Sequence, residues 1–323
     1  MRQMTGLAFV FPGQGSQVVG MGRDLADASP AAAAIFAAAD AALDEPLSRV
    51  AWEGPAEDLN RTENAQPALL ATSMAYLAVL RERIAAAGQA PLEPRFMAGH
   101  SMGQYSALVA ADAVTLADGV RLVRERGLRM QASGAGRDGA MAAIIGLDDG
   151  AIPELVRRAS LLGTFGVANR NAPGQVVVSG ERVAIEASVE IGRELGAKRV
   201  IVLPVSVAAH SPLMADAATG MRDVLATADV RDPAVPLLAN ADAHLIETAD
   251  ACRTELVEHL TAGVDWVRAV EAMVAAGVGT FVEIGPGKVL TNLIKRIAPE
   301  ASGVALDDAD AIERLTARSA VTA

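Results

Sequence analysis

Phe96-Met97-Ala98-Gly99-His100-Ser101-Met102-Gly103-Gln104-Tyr105 runs from an apolar stretch, through a serine set between two glycines, into an amphipathic one. That order reads as strand, sharp turn, helix. A Gly-x-Ser-x-Gly turn strains the backbone at its serine and needs glycine two residues either side, where neighbouring chain leaves no room for a Cβ. Met102, Tyr105, Leu108 and Val109 recur at helical spacing. A helix therefore begins at Ser101, with its free amides facing any anion formed there. This is half of an acyl-transfer site. A serine N-cap flanked by turn glycines gives the same five residues, so the remainder of the chain must decide.

Upstream, residues 7–11 form a short buried-type strand, and Pro12-Gly13-Gln14-Gly15-Ser16-Gln17 leads from it into an expected helix at 18–26. The loop resembles a dinucleotide fingerprint only at first sight: its third glycine position is Val18, and no acidic residue closes a second strand about 20 residues on. Either the glycines bring backbone amides up to a ligand, with Gln14 supplying an N–H, or this is an ordinary strand-to-helix turn. Residues 30–45 are an alanine-rich helix. A long helix is expected over 67–87, with Pro67 in its first turn and Gly88 past its end. Gln66, just ahead of it, either lines a pocket or is solvated. Downstream of the serine, Leu116, Val120, Val123, Gly127 and Met130 give a helix over 116–132 with one buried stripe, bordered by Arg126. An arginine there ordinarily snorkels to solvent.

A glycine-rich linker at 133–139 opens a block of different period: strand 141–146, helix 151–160, strands 165–169 and 175–179 around Pro173-Gly174, helix 182–195, strand 199–205. The order β-α-β-β-α-β is that of a ferredoxin-like unit. It is expected at 137–206, inserted in a larger α/β unit made of residues 1–136 and 207–323. Past the insertion, Ser211 can cap a helix with Pro212 in its first turn, which sets His210 just ahead of a helix start. A histidine there is a candidate general base or a satisfied core residue. Asn240 ends a strand at 235–239, a further strand closes at Gly285-Pro286-Gly287-Lys288 before what reads as the last amphipathic helix, and the chain beyond Ala298 is polar and expected to fray.

With 323 residues, 51% of them hydrophobic, the chain has ample material for one large domain or two ordinary ones. No apolar run approaches the roughly 20 residues of a membrane span, and residues 1–11 hold too short an apolar core for a secretion signal. A cytoplasmic protein without membrane contact is expected. Cys252 is the single cysteine, which excludes an internal disulfide, and the four histidines lack metal-site spacing. No metal is expected. A net charge of −11 disfavours nucleic acid as a partner.

Phe-Pro-Gly-Gln-Gly-Ser-Gln at 11–17, Gln-Pro-Ala-Leu at 66–69, Gly-His-Ser-Met-Gly at 99–103, Arg126-Gly127, Asn-Arg-Asn-Ala-Pro-Gly-Gln at 169–175, His210-Ser211 and Glu-Ile-Gly-Pro-Gly-Lys at 283–288 together resemble the malonyl-CoA:acyl carrier protein transacylases. The resemblance covers residues 5 to 297. It implies an α/β-hydrolase-like large subdomain with a mostly parallel sheet and an inserted ferredoxin-like small subdomain, in agreement with the order of elements above. It also implies Ser101 as nucleophile of a ping-pong cycle, His210 as its base, and the amides of Met102 and Gln14 as oxyanion hole. The base would be oriented by a main-chain carbonyl, at His259, in place of an aspartate. Arg126 would grip the malonyl carboxylate, and Asn169 and Asn171 would lie near the CoA. Ala209 stands where the family often carries phenylalanine or serine, which leaves malonyl against a branched unit open; Gln104 and Asp112 stand where glutamate and glycine are frequent.

By the same resemblance malonyl-CoA is the substrate, no cofactor is needed, an acyl carrier protein is the partner, and a monomer is expected, in fatty acid or polyketide synthesis. Lys288 and Lys295, seven residues apart, with Arg296 adjoining, are candidates for docking that acidic partner; Arg121 and Arg124 are a second pair. An esterase or thioesterase shares the elbow, but Arg126 and a carbonyl-oriented histidine speak against it.

Overall fold

Eleven strands in two sheets carry the architecture of this computed structural model, which describes residues 4–134, 136, 138–205 and 207–322. In chain order they are β1 (Gly6–Phe11), β2 (Phe96–Gly99), β3 (Gly139–Ile145), β4 (Phe165–Ala172), β5 (Gln175–Glu181), β6 (Arg199–Val202), β7 (Leu237–Leu238), β8 (Leu245–Ile246), β9 (Val264–Asp265), β10 (Val278–Ile284) and β11 (Ser302–Leu306). The larger sheet runs β11-β10-β1-β2-β7-β8 and is parallel except for the β7–β8 pair. A parallel sheet is covered on both faces, and β1 shows it: Phe9 and Phe11 enter one core while Ala8 and Val10 enter the other. The first core is filled by helices such as Thr62–Ala86 and Leu116–Gly134, the second by Trp266–Ala275 and Val289–Ile297.

The smaller sheet runs β6-β3-β5-β4-β9. Its first four strands are antiparallel, with the helices Ile152–Ala159 and Arg182–Glu194 packed on one face through Ala140, Ile144, Leu155, Val178 and Ile185. That is the ferredoxin-like arrangement. The opposite face presents Met141, Ala168 and Val177, against which Ala209 of the larger unit packs. The bounds at 137 and 206 fall on residues outside the described ones, as do Ala135 of the linker and the segment's Ser206. The fold is an α/β-hydrolase-like subdomain with a mostly parallel sheet and an inserted ferredoxin-like subdomain.

Several elements differ from expectation. Residues 18–22 are not helical, because Gly20 and Gly22 turn at φ 97° and 73°; the helix is Arg23–Ala28. A Cβ on Gly22 would come within 2.8 Å of the Phe36 ring. The long helix starts at Thr62, so Pro67 is inside it and not in its first turn; Gln66 is fully buried, which removes the solvated one of its two alternatives. The smaller sheet gains a fifth strand, β9, parallel to β4 with Asn169 opposite Val264. Beyond Ala298 the chain does not fray: β11 joins the sheet edge and the helix Ala309–Thr322 follows, with Leu306, Ala311 and Ile312 buried. The helix carrying Lys295 is therefore not the last, and Lys288 stands before its first residue as the N-cap. Among the described residues no helix is long and apolar enough to cross a membrane.

Candidate active site

Ser101 sits at φ 54°, in the left-handed region that a non-glycine residue enters only under constraint. The constraint is visible in the two glycines: a Cβ on Gly99 would lie 1.9 Å from the Gly103 carbonyl carbon, and one on Gly103 would lie 2.2 Å from the Phe11 oxygen. The helix begins at Gly103, two residues later than the spacing suggests, and leaves Met102 as its N-cap. Gln104 braces the turn, its Oε1 accepting from the Gly99 amide and its Nε2 donating to the Leu238 carbonyl, both at 3.0 Å. Asp112, at φ 57°, occupies a conformation that glycine adopts at lower cost.

The loop after β1 lies against this turn, since a Cβ on Gly13 would meet the His100 oxygen at 2.5 Å. Gln14 is exposed, and its side chain donates to Thr62 Oγ1 at 3.3 Å. Among the described residues the backbone amides of Gln14 and Met102 have no protein acceptor.

Two buried side chains, His210 and Arg126, meet at the Ser101 hydroxyl. His210 Nε2 is 2.8 Å from Oγ, and His210 Nδ1 is 2.6 Å from the main-chain oxygen of His259. A carbonyl can only accept, so Nδ1 carries the proton and Nε2 is free to take one from the hydroxyl. His259 belongs to the last turn of the helix Ala249–Ala262, whose final carbonyls have no partner within the helix and carry its negative end. A helix terminus thus stands where other serine sites place a carboxylate. His210 itself adopts φ 57°, just ahead of the short turn Pro212–Met214 that Ser211 caps.

Arg126 does not snorkel. It is 1% exposed; Nη1 donates to Gln66 Oε1 at 2.8 Å, and Nη2 to Ser101 Oγ at 3.1 Å and to His259 Nε2 at 3.2 Å. Its Nε has no partner, and its guanidinium lies 5.9 Å from the Tyr105 ring centroid. Among the described residues no carboxylate pairs with it. Burial pulls the guanidinium pKa down to about 10 and pushes the Tyr105 phenol up to about 12. Burial, then the Arg126 charge, holds His210 down at about 3, and the same two causes in the same order keep His259 well below the ordinary histidine range.

The remaining candidates divide. Asn171 Oδ1 is 2.9 Å from His100 Nε2, which ties the β4 end to the serine turn. Asn169 is buried in β4 beside β9. Ala209 packs between the two units beside His210. Lys288, Lys295 and Arg296 stand apart: Lys288 pairs with Asp307 at 3.3 Å, while Arg296 donates to the Pro173 carbonyl at 2.9 Å and to Gln175 Oε1. Arg121 and Arg124 are likewise engaged, with Asp118 and Glu45. Sequence reasoning missed a pair behind the serine. Asn240 Oδ1 accepts the Ser101 amide at 2.9 Å, and Asn240 N and Nδ2 donate to Glu255 Oε1 at 2.7 and 3.0 Å. Glu255 is buried, its pKa raised chiefly by that burial. The available signal was its place four residues before His259, on the same helical face.

A centre of this kind can take up an acyl group as an ester and hand it on, which is the chemistry of an acyltransferase. The chain belongs to the acyl transferase domain family, whose profile matches residues 8–311. It is 45% identical over 309 residues to the malonyl CoA-acyl carrier protein transacylase of Escherichia coli K12, covering 96% of this chain and 98% of that one. The acyl-carrier-protein-S-malonyltransferase structure from Bartonella henselae superposes with a TM-score of 0.93 at 42% identity, over 98% of this chain and all (100%) of that one. A type II PKS acyl-carrier protein in complex with its malonyl-transacylase gives TM-score 0.93 at 39% identity, over 97% of this chain and 100% of that one.

Proposed function

We propose that the chain moves a malonyl group from malonyl-CoA to the phosphopantetheine thiol of an acyl carrier protein through an ester on Ser101. The observation that carries this is Arg126, a buried cation beside the serine with no anionic partner among the described residues. A malonyl carboxylate supplies one. The unpartnered Nε–H and the Nη2–H now on Ser101 lie on one edge of the guanidinium fork, which suits two-point binding of a carboxylate. Pairing also cancels the Arg126 field that depresses His210, so a carboxylated substrate raises the basicity of the group that must take the serine proton.

In the first half-cycle, His210 Nε2 takes the Ser101 proton while Oγ bonds to the thioester carbon. The oxyanion rests on the Gln14 and Met102 amides; one such donor is worth roughly 10² to 10³ in rate. The C–S bond then breaks, and the imidazolium returns its proton to the CoA thiolate. In the second half the carrier thiol gives its proton to His210, its sulfur attacks the ester, and Ser101 is regenerated. Asn171, Asn169 and Ala209 line the substrate side, the methyl of Ala209 leaving room beside the acyl group. Lys288 and Lys295, both exposed, face the acidic carrier. The subdomains divide at 137 and 206, and the enzyme acts as a cytoplasmic monomer.

Incubation with a panel of acyl-CoAs followed by intact-protein mass spectrometry tests this. A malonyl adduct on the native chain and none on Ser101→Ala is expected; an adduct that survives on Ser101→Ala removes the assignment.

A further inference from the structure

His259 appears twice at this centre, and only its main-chain oxygen is accounted for by the orientation of His210. Its imidazole is fully buried, with Nδ1 2.8 Å from the Glu255 main-chain oxygen. That carbonyl fixes the proton on Nδ1 and leaves Nε2 as a lone-pair acceptor. Arg126 Nη2, which can only donate, meets it at 3.2 Å. The tautomer is thus dictated from both sides. The Tyr105 ring, edge-on at 6.4 Å between centroids, packs against the imidazole. On the other terminal nitrogen of Arg126 stands Gln66, again an acceptor without charge. With the Ser101 hydroxyl, three groups therefore hold the guanidinium, and none of them neutralises it.

We infer that the His259 imidazole is a positioning residue for Arg126, and that by holding the guanidinium without neutralising it His259 sets the preference for a carboxylated acyl group. A carboxylate at this point would hold Arg126 equally well but would compete with the substrate for its charge. An apolar side chain would leave the charge and lose the aim. A neutral acceptor meets both needs. The inference rests on Arg126 as the carboxylate receptor, and the two are separated by experiment.

The test is single-turnover loading of malonyl-CoA and acetyl-CoA onto the full chain, read by intact mass, for His259→Gln, His259→Leu and Arg126→Ala. All three keep the main-chain carbonyl at residue 259, so His210 stays oriented. A glutamine amide oxygen lies as many bonds from Cβ as the imidazole Nε2. Malonyl loading (kcat/KM) is expected to fall about 10-fold or more relative to acetyl loading in His259→Leu, as befits one lost bond to a charged group. His259→Gln should restore it to near the native value. Should the leucine variant fail to fold, His259→Asn, whose acceptor falls one methylene short of Arg126, reads the same split. Equal loss of both acyl groups, no loss of either, or failure of glutamine to restore malonyl loading overturns the inference. If Arg126→Ala separates malonyl from acetyl while the His259 variants do not, only the role of His259 falls. If Arg126→Ala does not separate them, the carboxylate site itself falls.

Discussion

Replacing Arg126 by alanine removes the cation that the Ser101 hydroxyl touches, and its consequences for two substrates have different signs. For malonyl, two charge-assisted hydrogen bonds are lost, each of order 1.5 to 3 kcal/mol. Water enters the vacated space and recovers part of this. A net loss of about 3 kcal/mol, or roughly 100-fold in kcat/KM, is the expected figure. Acetyl has no carboxylate to lose. It meets a serine freed of the 3.1 Å bond from Nη2 and a His210 no longer depressed by a neighbouring positive charge. Acetyl loading should therefore hold or rise. The assay is the rate of adduct formation with each acyl-CoA on the Arg126→Ala chain, with a thermal melt as control, because Gln66 and His259 lose a donor and some stability. A malonyl-to-acetyl ratio that stays at its native value would refute the reasoning and leave Arg126 as a structural cation.

Acid should weaken the fold through its buried histidines. His100, His210 and His259 are all held below the ordinary 6.5, so the folded chain binds fewer protons than the unfolded one over a window that for His210 runs from 6.5 down to about 3. Their contribution is complete above that window and lost as pH falls through it; Glu255 and Glu283, raised by burial, act in the opposite sense. The urea midpoint of the native chain should drop more between about pH 7 and 5 than that of His259→Gln, which has one titrating group fewer; parallel profiles would show that His259 is not buried neutral. At the surface, Lys288→Glu with Lys295→Glu should raise KM for the carrier protein more than for malonyl-CoA in steady-state kinetics, and an equal defect toward both would mean that the lysines read the nucleotide.

How far the sequence led follows from how local each feature is. The serine turn was legible because its glycines and its helical spacing lie within fourteen consecutive residues, Phe96 to Val109. The inserted unit was legible because its alternation of periods is written in order along the chain. Pro67 misled, since a proline signals a first turn, whereas here the helix Thr62–Ala86 passes through it. β9 is two residues long and is defined only by its partner β4. β11 has exposed or half-buried residues until Leu306 and gains its identity from pairing with β10. The Ser101–Asn240 support and the His100–Asn171 tie join residues 139 and 71 positions apart, so no local window of sequence contains them. Lys288 and Arg296 looked free for the same reason: Asp307 and the Pro173 turn come to them only through the fold.

β9 also binds the two sheets mechanically. It leaves the C-terminal end of the helix that bears His259 and within a few residues zips onto β4, which carries Asn169 and Asn171. One short run of backbone is therefore stitched at one end to the imidazole of the base and at the other to the floor of the smaller sheet. To part, the two sheets would have to unzip this ladder, whose first residue, Val264, follows closely on the carbonyl that holds His210. The aim of the His210 imidazole and the attachment of the two sheets thus hang on the same few residues of backbone.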